Sequence, residues 1–180
     1  MIYDKSKWIY EADEGNSIRY VLGTKGNKTL ICFGVNPSTA IPDNLDNTLR
    51  SVNIISKYNK YDSWIMLNLY PQRNRYVNSI HKELDEETHK KNCKYIRQVF
   101  NLGHYDIWTA WGTLIERRKY FKKCLADIYE LSNEFNCNWY RAGNLTKYGH
   151  PHHPLFLAEK TDLKLFDLES YMKELSEYWI

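Results

Sequence analysis

Two amide side chains and a cluster of histidines and prolines stand where the apolar runs of this sequence stop. Gly34-Val35-Asn36-Pro37-Ser38 closes the run TLICF, Leu67-Asn68 ends SWIM, Trp111-Gly112 ends DIWTA, and Gly149-His150-Pro151-His152-His153-Pro154-Leu155 follows the last such run. A glycine and a proline on either side of Asn36 fix the direction of the chain and present the amide outward. That amide can hold a water molecule, yet it cannot take a proton as a carboxylate does. Asp43 and Asp46 follow closely enough to supply a carboxylate, although a loop and a helix cap would use them equally well. Asn36 and Pro37 are also ordinary turn residues. Two other chemistries have less behind them. Ser38 follows a proline and lies in no GxSxG elbow, and the neighbouring His150, His152 and His153 point in different directions with no HExxH spacing, so neither a metal nor a cofactor is expected.

In an open α/β sheet, ligands gather at the carboxyl ends of the strands, where loops converge on a rigid frame. The pattern predicts such a sheet. Apolar alternation over 8–34 reads as a strand meander. The run 46–60 starts at an N-cap, Asp46 or Asn47, and carries Leu49, Val52, Ile55 and Tyr58 on one side. The buried strand SWIMLNLY, a helix over 86–102 and the strand YDIWTAWG come next, followed by a helix over 114–135, the strand CNWYRAG and a closing helix over 162–179. Strands alternating with helices imply one domain over 1–180, a three-layer α/β/α sandwich with a mostly parallel central sheet.

The 180 residues, 43% of them hydrophobic, suffice for one core. The net charge of +3, from 25 basic and 22 acidic residues, leaves attraction to nucleic acid to local clusters. Those are Arg73 with Arg75, and Arg117, Arg118, Lys119, Lys122 and Lys123; the second group also reads as a solvated helix face. With no apolar stretch of about 18 residues and no apolar start, the expectation is a cytoplasmic protein without a membrane span. Cys32, Cys93, Cys124 and Cys137 form no CxxC pair and read as reduced, core-filling thiols.

The ordered series GxNP, LN, WG and HP resembles the motifs of the uracil-DNA glycosylase superfamily, in its mismatch-type form. The chain also resembles, over about residues 17–158, a bacterial and phage domain family of unassigned function marked by NPSTA, an Asp-x-Thr-x-Arg stretch, AWG and HPL. The first resemblance implies a monofunctional DNA glycosylase, active as a monomer on DNA, in which Asn36 positions the attacking water and Asn68 reads the edge of the extruded base. His153 would stabilise the departing base, within a base pocket framed by Gly34, Val35, Pro37 and Ser38. His150-Pro151 is a second HP pair, but His153 precedes Leu155 and Phe156, apolar residues suited to fill the gap left by a flipped base. His150, His152, Arg73 and Arg75 would face the DNA. Where uracil-specific enzymes carry a bulky Tyr, Ser38 is small, which implies a pocket open to a 5-modified pyrimidine such as phages carry, and hence a role in anti-phage defence. The alternatives are a non-catalytic nucleic-acid or nucleotide-binding module of the same fold, and a hydrolase or transferase of free nucleosides.

Overall fold

The computed structural model describes residues 2–103 and 105–177. Seven strands form one sheet: β1 (Trp8–Ala12), β2 (Arg19–Thr24), β3 (Thr29–Gly34), β4 (Ser63–Asn68), β5 (Asp106–Thr109), β6 (Asn138–Ala142) and β7 (Leu163–Leu165). Their order is β1-β2-β4-β3-β5-β6-β7. The central strands β4, β3, β5 and β6 run parallel. The outer pairings β1–β2, β2–β4 and β6–β7 are antiparallel. The sheet is therefore mixed rather than mostly parallel, because β1 and β2 form a hairpin and β7 returns from the His and Pro loop without a helical crossover.

Four helices follow from amphipathic runs: α1 (Asn47–Tyr58), α2 (Glu86–Phe100), α3 (Tyr120–Asn133) and α4 (Leu168–Glu177). Alternate strand residues enter two cores. Leu30, Cys32, Trp64, Met66 and Trp108 pack with Leu49, Val52 and Ile55 of α1. Ile31, Phe33, Ile65, Leu67 and Ile107 pack with Ile96 and Phe100 of α2, Phe121 and Ile128 of α3, and Tyr171 of α4. The sheet thus has helices on both faces. Burial on both sides explains the unbroken apolar run of β4, every residue of which is buried.

Three sequence expectations shift. The expected helix over 114–135 is a short 3-10 segment, Gly112–Arg117, followed by α3. Tyr58 is 40% exposed at the last turn of α1 rather than on its apolar side. The closing segment is not one helix: Leu163–Leu165 pairs with β6, and α4 begins only after Asp167, whose carboxylate accepts from the Ser170 backbone N–H at 2.9 Å. Trp179 lies outside the described residues. All four cysteines are free, with Cys32 and Cys124 buried, as core filling requires.

Candidate functional site

Parallel pairing sets Gly34 opposite Asn68 and Phe33 opposite Thr109, so the loops after β3, β4 and β5 leave the sheet at one edge. There they meet the start of α1 and the 149–156 loop around a cleft of about 1060 Å³. Asn36, Asp46, His152 and His153 line it, together with Gly34, Val35 and Ser38.

Asn36 is held by its nitrogen. Nδ2 donates to the carbonyls of Pro37 (3.1 Å), Gln72 (3.3 Å) and Asn74 (2.9 Å), which ties the β3 loop to the loop after β4. Three carbonyl acceptors demand an N–H donor, so the amide orientation is determined and Oδ1 remains to accept from a ligand. Pro37 does not line the cleft; it contributes its carbonyl.

Asp46 is the N-cap of α1, accepting from the Leu49 backbone N–H at 3.0 Å, and faces the same cleft. Asp43 does not belong to this wall. It sits in the left-handed region with φ 61° and accepts from the Trp8 indole at 2.9 Å, which fastens the loop to β1.

The His153 Nδ1 accepts from the Leu155 backbone N–H at 3.3 Å, so the proton of the neutral ring sits on Nε2. Burial lowers the imidazole from 6.5 to about 4, against a smaller upward pull from the Asp46 charge. His153 is thus a neutral N–H donor at pH 7. Gly112, with φ +60°, packs against it; a Cβ there would lie 3.1 Å from the His153 Cβ. Gly112→Ala is expected to cost about 1–2 kcal/mol in urea unfolding, the penalty of a side chain in left-handed backbone, and to displace His153.

His150 is not at the surface. Trp111 Nε1 donates to the Tyr171 hydroxyl at 3.1 Å, that hydroxyl meets His150 Nδ1 at 2.8 Å, and Nε2 meets Glu116 at 2.8 Å. The chain of bonds braces α4 and the 149–156 loop and leaves no nitrogen for DNA. Leu155 and Phe156, 48% and 78% exposed, stand at the cleft.

Asn68 is only 1% exposed, and neither polar atom of its amide has a partner among the described residues. It lies beneath Gly34, where a Cβ would come within 3.1 Å of its Oδ1 and 2.6 Å of the Met66 methyl. It is therefore below the cleft wall rather than on it.

The two arginines after β4 divide. Arg75 is exposed and lines the cleft. Arg73 is a strap, donating to Ser38 O, Ala40 O, the Tyr10 hydroxyl and Asn16 Oδ1. The second basic cluster does not reach the cleft: Arg118 bonds the carbonyls of Asn78, Ile80 and His81, and Lys123 pairs with Asp127. Cleft cations that sequence reasoning missed are Arg19, Arg50 and Lys147, and Asp46 is the one carboxylate among the described lining residues. Arg50 was within reach, because Asp46, Thr48 and Arg50, the Asp-x-Thr-x-Arg stretch, all line the cleft. Away from it, Cys93 Sγ lies 3.7 Å from His89 Nε2, but Asp127 holds the same nitrogen and burial pushes the thiol up to about 11, so no thiolate nucleophile forms.

A model for a family described as a protein of unknown function, DUF1643, matches residues 19–155, nearly all of the stretch that carries the cleft. The chain belongs to this family. The DUF1643 match begins at Arg19 and ends at Leu155, both cleft residues, and includes Asn36, Asp46 and His153. Comparison with curated proteins and with solved structures gave no match. Among the described residues no helix is long and apolar enough to cross a membrane, and no group of three or more His, Cys, Asp or Glu is placed to hold a metal ion.

Proposed function

We propose that this DUF1643 protein is a monofunctional DNA glycosylase with a fold of the uracil-DNA glycosylase kind, hydrolysing the N-glycosidic bond of a flipped, 5-modified pyrimidine to leave an abasic site in anti-phage defence. One observation carries the reading: a neutral His153 Nε2–H, the Asp46 carboxylate and the free Oδ1 of Asn36 open on a single cationic cleft. Breaking the bond leaves positive charge on the sugar and negative charge on the base, and these groups match both. Asn36 Oδ1 holds the water, whose oxygen attacks C1′. The C1′–N pair leaves with the base, Asp46 takes the water proton, and His153 donates its hydrogen bond to the base carbonyl that gains charge. Small Ser38 leaves room for a substituted ring, and Phe156 suits the gap in the stack.

The reading also accounts for an asparagine where uracil-specific enzymes carry aspartate. A carboxylate at 36 would face three carbonyl oxygens that now share an N–H donor, so Asn36→Asp is expected to lose stability rather than gain activity. Asn36→Ala is expected to lower base release about 100-fold or more while DNA binding persists. The assay incubates plain, uracil-containing and phage-modified DNA with the protein and measures free base and abasic sites. Release from none of these sinks the proposal in favour of a binding module of the same fold.

A further inference from the structure

Arg19 has no role in the steps above, yet it is 2% exposed and lines the cleft. Its Nη1 donates to Ala40 O at 2.9 Å, and among the described residues its buried Nε has no partner and no carboxylate forms an ion pair with it. Arg73 donates to the same Ala40 carbonyl, at 3.3 Å. Two guanidinium groups therefore converge on one neutral oxygen. Desolvation first, and then the Arg73 charge, lower Arg19 to about 10, and the weaker upward pulls of Tyr10 and the Asp46 carboxylate do not offset them. A buried cation is normally paired, and leaving it without a counter-ion is costly. Close by, the amino end of α1 opens on the cleft at Asn47 and Thr48, where the first backbone N–H groups of a helix favour an anion.

We infer that the cleft floor is a phosphate subsite in which the free edge of Arg19 and the first N–H groups of α1 grip a phosphate oxyanion of the bound nucleotide. That the phosphate belongs to a nucleotide rests on the glycosylase reading; the grip itself does not. A planar guanidinium suits two phosphate oxygens at once, and a low-exposure site strengthens each bond. Arg50 and Arg75, on the same cleft, extend the positive field toward neighbouring phosphates.

The test titrates the full-length protein calorimetrically with four probes: inorganic phosphate, thymidine 5′-monophosphate, thymidine, and oligothymidylate without terminal phosphates. Binding by the monophosphate and the oligomer but not by thymidine is expected; preference for the oligomer identifies a phosphodiester, and preference for the monophosphate a terminal monoester. Arg19→Met should weaken binding about tenfold or more, and reduce by about one the slope of oligomer affinity against salt. Its ligand-free melting temperature should hold or rise, since a buried charge without an ion pair has gone. Arg19→Lys, which keeps charge without the fork, should bind several-fold more weakly. Unchanged affinity in either variant, or thymidine binding as tightly as its monophosphate, overturns the subsite. Because no base need be released, Arg19-dependent binding by a protein that cleaves none of the DNAs would refute the glycosylase reading and leave this subsite standing.

Discussion

Asp46→Asn is expected to leave the protein folded and α1 capped while lowering base release by about two to four orders of magnitude, the range of a lost general base. The expectation separates two functions of one side chain. As N-cap, Asp46 accepts the Leu49 N–H, and an asparagine oxygen does this as well, so stability should move by less than about 1 kcal/mol. As base, the carboxylate must receive the proton that the attacking water loses, and an amide cannot. Its charge also pulls His153 upward, so its removal drives the imidazole further from protonation. Single-turnover release from the preferred DNA, alongside thermal melts, reads both functions. Asp43→Asn is the control: Asp43 is off the cleft and bonded to the Trp8 indole, so its loss should leave the rate alone. Near-wild-type release by Asp46→Asn would mean that the water is deprotonated elsewhere or not at all.

What the sequence disclosed and what it hid follow from the range of the interactions. Asn36, Asp46 and His153 were legible because each belongs to a short stretch at a strand or helix end, and parallel strands bring such ends to one edge. Local pattern also revealed the buried strands β4 and β5, the strand β6 and the apolar side of α1. It could not distinguish Arg73 from Arg75. They are two residues apart, and only contacts to Ser38, Ala40, Tyr10 and Asn16, distant in sequence, make Arg73 structural. Nor could it show that His150, expected to face DNA, is spent on structure, because the partners of His150 are Glu116 and Tyr171 on other elements. Arg19 was hidden for the opposite reason: it stands inside an apolar strand, RYVLGT, whose alternation reads as core. A buried charge in such a strand was the signal available. The meander over 8–34 anticipated the antiparallel β1–β2 hairpin, but not that β2 pairs with β4 rather than β3 or that β7 runs back along β6, since periodicity reports burial and not which strand is the neighbour.

Replacing His153 by Ala is expected to lower base release about 10²- to 10³-fold, as loss of one hydrogen-bond donor to a developing anion does. It should also change the acid limb of the stability curve. In the folded protein the imidazole is held at about 4 against an ordinary 6.5, mainly by burial. Between those values the unfolded chain takes up a proton that the folded protein refuses, so stability rises with pH there. The contribution is complete above 6.5 and is lost as pH falls toward 4, with an upper size of about 3 kcal/mol. The Ala variant has no such group. Urea unfolding at pH 7.5 and 4.5 should therefore show the wild type losing about 2–3 kcal/mol more than His153→Ala across that interval. The double difference cancels both the cavity left by the substitution and the carboxylates that titrate in the two proteins alike. The wild-type rate should stay level down to about pH 5 with respect to His153, because the neutral donor persists there. Parallel stability curves would show that the ring is not buried neutral, and an undiminished rate in the variant would remove His153 from the departing base.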